Sequence, residues 1–85
     1  MRRCKSLEKL YKELEKAGFA PEWGEKDGFR TDDILVITEA AEFDINKAAA
    51  PGFYGVQRSE AFSENEFYAC EGVEKVVDLI KQEAR

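Results

Sequence analysis

Apolar positions along this chain change their spacing from one segment to the next. Over "SLEKLYKELEKA", residues 6–17, Leu7, Leu10, Tyr11 and Leu14 recur at i, i+3, i+4 and i+7. That spacing predicts a helix with one apolar stripe. Ser6 suits its N-cap, and Gly18 stands where a left-handed residue ends a helix, so Phe19 is expected to fold back onto Leu14. The far end mirrors it. "GVEKVVDLIKQEA", residues 72–84, sets Val73, Val76, Val77, Ile80 and Ala84 on one stripe, with Glu71 and Glu74 at its start and Lys81 towards its end. Those charges complement the helix dipole. Each helix is apolar on one side only, so each is expected to cover a face of something else.

The segment between them has strand-like spacing. Phe19 to Trp23 reads as a short strand, and Pro21 within it suits an edge. Asp27-Gly28 is a strong two-residue hairpin signal, returning the chain through Phe29 towards Ile37. "ILVIT" is β-branched and apolar on both faces, as a central strand would be. A helix starting at Thr31 also fits the spacing of Ile34, Ile37 and Ala41. "EFDINKAAAPGFYG" reads as a loop with a turn at Pro51-Gly52. Residues 53–60 and 66–70 then read as two strands around "SENE", with Val56, Phe62, Phe67 and Ala69 as apolar positions. The expected fold is one α+β domain over residues 1–85. It has two layers: an N-terminal and a C-terminal helix on an about four-stranded, mostly antiparallel sheet.

Composition narrows the chemistry. The chain has no histidine, so the commonest general base and metal ligand is missing and histidine-activated nucleophiles are impossible. Its two cysteines, Cys4 and Cys70, cannot build a zinc site. A disulfide between them is geometrically possible but disfavoured in a reducing compartment. The six glycines sit at scattered turn and cap positions and form no phosphate-binding loop. The longest apolar run, Ile34 to Ile37, is far too short to span a bilayer, and "MRRCKSLEKL" lacks the apolar stretch of a secretory signal. A cytoplasmic protein without a cofactor is expected.

Charge adds a direction. The net charge is −5, but residues 1–18 carry +3, residues 19–79 carry −9 and residues 80–85 carry +1. An acidic body repels phosphates, which argues against direct binding of nucleic acid and for a larger, basic protein partner. Carboxylates flank the central strand in "TDDILVITEAAEFD". Adjacent Asp32 and Asp33 would point to opposite faces of a strand and could not share an ion. Glu39, Glu42 and Asp44 could gather in a loop and hold Mg²⁺ or Ca²⁺, but the spacing lacks the glycine and terminal glutamate of an EF-hand loop. The expectation is a surface role without catalysis.

Ten aromatic residues are many for a core of this size. Trp23 lies beside Pro21 and Gly24, and Phe53 and Tyr54 lie between Gly52 and Gly55, contexts in which a large side chain can lack neighbours to bury against. Capping the ends of the core is the plain role for them. The sharper one makes Trp23, Phe53 and Tyr54 partner anchors inside an acidic rim of Glu22, Glu25, Glu39, Glu42 and Asp44. In size, acidity and mixed layout the chain resembles the small inhibitors that phages make against host defence nucleases, including anti-CRISPR proteins. That likeness rests on no motif. It implies a non-enzymatic inhibitor that covers a nucleic-acid-binding surface of a basic partner with carboxylates in place of phosphates. The alternatives are a self-associating accessory subunit, paired through an exposed strand edge, and a carboxylate-dependent metal enzyme. The first hypothesis is compatible with a monomer or a homodimer.

Overall fold

The computed structural model describes residues 5–60 and 65–83. Two helices, α1 (Lys5–Lys16) and α2 (Val73–Glu83), enclose five strands in the sequence: β1 (Glu22–Lys26), β2 (Phe29–Ile37), β3 (Glu42–Lys47), β4 (Phe53–Ser59) and β5 (Glu66–Glu71). The expectations that involve Cys4, Phe62 and Ala84 fall outside the described residues.

Local signals act as the residue types dictate. Helix α1 ends where Gly18 takes φ 94°. Beyond it, the Phe19 N–H donates to Leu14 O at 3.1 Å and the Gly18 N–H to Glu15 O at 3.1 Å. This is the left-handed helix ending that glycine permits. Asp27 and Gly28 both have positive φ, 53° and 81°, and Lys26 pairs with Phe29 across the turn. Two left-handed residues match the right-handed twist of the flanking strands, so the hairpin closes in two residues.

The sheet is an antiparallel meander in the order β1-β2-β3-β4-β5. It has five strands where about four were expected, because the segment read as a loop contains β3. Its residues alternate, with Phe43 and Ile45 buried and Glu42 and Asn46 exposed, and it pairs with β2 on one side and β4 on the other. The first strand starts at Glu22, after Pro21, whose missing N–H then costs the ladder nothing. Thr31 to Ile37 are strand, which removes the helical alternative.

Register places one side chain per strand in line across the core. Ile34 faces Ile45, Ile45 faces Val56 and Val56 faces Tyr68. On this side Leu7, Leu10 and Leu14 of α1 and Val76 and Ile80 of α2 are all buried. Helix α1 packs on β2 and β3, α2 on β4 and β5, and the helices pack on each other. Val73 and Val77 reach this core only in part. Arg58 ties β4 to its surroundings through Glu60 at 3.1 Å and Glu83 of α2 at 3.4 Å. Both helices therefore lie on one face of the sheet, and among the described residues no layer covers the other face.

Candidate functional site

Strand alternation decides what that uncovered face carries. Residues opposite in register point the same way. One row across the sheet runs Glu22, Leu35, Asp44, Gln57, Phe67. A second runs Asp33, Asn46, Gly55, Ala69, and a third Ile37, Glu42, Ser59. Carboxylates and apolar side chains thus alternate over one surface. Ile37 is 65% and Phe67 75% exposed, large fractions for residues of their size. By the same alternation Phe53 and Glu71, which face each other, belong to this side. Among the described residues of this face, Lys26 at the tip of the first hairpin is the basic one. Glu22, Asp33, Glu42, Asp44 and Glu71 make the surface strongly negative.

The middle of the face is a pair of acids on neighbouring strands. Asp33 and Asp44 are diagonal neighbours, close enough for their carboxyl groups to interact. Asp44 Oδ1 is closed off from solvent and has no donor of its own. Burial pushes the Asp44 carboxyl up to about 6, and the adjoining Asp33 carboxyl, with its negative charge, adds to that effect. Thr31 Oγ1 donates to Asp33 Oδ1. Glycine makes room for this arrangement. β1 carries an irregularity between Trp23 and Glu25, and a Cβ on Gly24 would overlap the Asp33 carboxylate and the Thr31 hydroxyl. A Cβ on Gly55 would meet Asn46 Oδ1 at 2.8 Å. Beside the pair lies a shallow depression of about 140 Å³ lined by Leu35, Ile37, Glu42, Asp44, Gln57 and Ser59.

The structure distributes the expected site residues over both sides of the sheet. Glu42, Asp44 and Phe53 share the uncovered face. Glu39 is exposed in the tight turn before β3, which Thr38 closes by donating from Oγ1 to Ala41 O at 3.0 Å and accepting from the Ala41 N–H at 3.1 Å. Trp23 and Tyr54 lie on the helix side. Trp23 pairs with Ile34 and stacks on Tyr11 with ring centroids 4.9 Å apart. Tyr54 is only 4% exposed, and its hydroxyl donates to Ser6 O at 2.9 Å. Glycines flank Tyr54 in sequence, yet its alternation with Val56 puts it in the core. Neither aromatic is placed to anchor a partner on the acidic face. Asp33, Leu35, Ile37 and Phe67 occupy that surface instead. The signal for Asp33, Leu35 and Ile37 was the odd-numbered alternation of β2, hidden by the unbroken apolar run Ile34 to Ile37.

Glu39, Glu42 and Asp44 do not converge. Among the described residues, no three potential ligands gather closely enough to hold a metal ion. No helix among the described residues is long and apolar enough to cross a membrane. No protein-family model, curated protein or solved structure matches the chain.

Proposed function

We propose that the chain is a non-enzymatic binding module that docks on a larger, basic protein through the uncovered face of its sheet. The observation that carries this reading is the composition of that face: five carboxylates, of which Glu22 and Asp44 share a row with Leu35 and Phe67 and Glu42 stands opposite Ile37, with Ile37 and Phe67 largely exposed to water. Apolar side chains supply area that gains free energy on burial, and carboxylates select a positively charged counterpart and speed its approach. The sharper form of the proposal is inhibition, in which this surface covers the nucleic-acid-binding region of its partner. Lysines and arginines that meet phosphates there would meet Glu22, Glu42 and Glu71 instead.

Affinity capture from native host lysate with tagged wild type, Ile37→Asp, and the helix-face control Glu8→Gln tests it. Wild type and control should retain one basic protein that Ile37→Asp loses, and nucleic acid should compete with the chain for that protein. Capture that is equal for all three chains would refute the assignment of the surface. Capture without competition would refute the inhibitory form alone.

A further inference from the structure

The two edges of the sheet differ in a way that the acidic face does not explain, and from it we infer that β5 pairs with β5 of a second copy of this chain to form a continuous ten-stranded sheet. Backbone geometry comes first. The Gly72 N–H donates to Gly52 O at 2.8 Å, which fixes the phase of the ladder between β4 and β5. In an antiparallel ladder every second residue bonds to the neighbour. Tyr68 and Cys70 therefore turn their N–H and C=O groups to β4, and Phe67, Ala69 and Glu71 turn theirs outward. All three are exposed. Outward-facing strand groups are a template for another strand.

The opposite edge is blunted. β1 is entered from Pro21, is irregular between Trp23 and Glu25, and carries Glu22, Glu25 and Lys26. Such features prevent edge-to-edge pairing. β5 is regular over its whole pairing with β4.

Self-complementarity selects a second copy as the occupant. In a two-fold pairing with Tyr68 opposite its symmetry mate, Phe67 falls on Ala69 and Glu71 on Asn65. Apolar meets apolar, and no like charges are opposed. The register keeps both copies' helices on one side of the joined sheet. Helix α2 lies over β4 and β5. With strands spaced about 4.8 Å apart, the two α2 helices would then run antiparallel at about 10 Å, the separation at which helices pack. The stripe of α2 beside the β5 edge is Lys75, Asp78, Leu79 and Gln82, which with Ala69 and Cys70 lines a groove of about 450 Å³. It offers one apolar residue and both signs of charge to an antiparallel copy of itself.

Sedimentation velocity and light scattering from nanomolar to high micromolar concentration test the inference. Wild type should reach twice the chain mass, and Ala69 amide exchange should slow as the dimer forms. Ala69→Pro removes an outward N–H without touching the β4 ladder, and should weaken the dimer by about tenfold or more. If circular dichroism shows that this variant has lost its fold, Ala69→Lys, a charge on the exposed edge, should have the same effect. Phe29→Ala, at the far hairpin, should leave the dimer intact. A monomer at every concentration would overturn the inference, and so would a dimer that the folded Ala69 variant leaves unchanged.

Discussion

Asp44 is held in a position that favours its neutral form. Between the ordinary carboxylate value of 3.8 and about 6, the folded chain binds more protons at Asp44 than the unfolded chain does. The Asp44 contribution to stability is therefore most favourable at low pH and is lost as pH rises through about 6. Thermal melts between pH 4.5 and 7.5 should show Asp44→Asn melting above wild type at the upper end, since the amide is uncharged and can donate to Asp33. The gap should close towards the lower end; a constant gap would show that Asp44 titrates normally. Tyr54 separates two contributions. Tyr54→Phe keeps the ring and loses the bond to Ser6, at a cost of roughly 1 kcal/mol. Tyr54→Ala also opens a cavity and should cost roughly 3–5 kcal/mol in denaturant titration. Gly24→Ala should cost about 1–3 kcal/mol, because the new methyl displaces the Asp33 carboxylate from its seat.

Elements were legible where a single periodicity dominates. Leu7, Leu10 and Leu14 announce α1, and Asp27-Gly28 announces the first hairpin, because each signal is local. Strand β3 was not legible for a physical reason. Asp44, Asn46 and Lys47 are poor strand formers, and only cross-strand partners on both sides make their backbone extended. Lys47 shows how tertiary context takes over: its Nζ donates to Ala48 O at 3.2 Å, Ala50 O at 3.1 Å and Phe53 O at 3.1 Å, which closes the turn to β4. The candidate site was half legible for the same reason. Glu42 and Asp44 were picked out by charge, but which side of a sheet they face follows from a strand that composition conceals. If β3 is a full member of the core, Ile45→Ala should cost as much as Leu14→Ala, roughly 2–5 kcal/mol each. Urea denaturation of the two variants checks this, and a cost well under 1 kcal/mol at Ile45 would return the segment to a loop.

At the scale of the molecule, charge and fold act together. Helix α1, with Lys5, Lys9, Lys12 and Lys16, lies on the covered side of the sheet, so these lysines leave the negative field of the uncovered side in place. A basic partner, as proposed, would be attracted over distances of about 10 Å at moderate salt, whereas burial of Ile37 and Phe67 would act only in contact. These contributions separate in time. Glu42→Lys removes an acid from the row of Ile37 and Ser59 and adds the opposite charge, so association with the captured partner should slow and lose much of its salt dependence. Dissociation should change less. Phe67→Ala removes exposed apolar area and leaves the charge alone, so dissociation should quicken, with a loss of about 2 kcal/mol or more if Phe67 is a hot spot. The edge pairing of β5 would place Phe67 near the two-fold axis, so both variants are compared at concentrations where the oligomeric state is the same. Surface plasmon resonance at low and physiological salt separates the effects. If Glu42→Lys alters only dissociation, or binding ignores salt throughout, the carboxylates serve solvation and a partner, if it binds this face, is held by apolar contact alone.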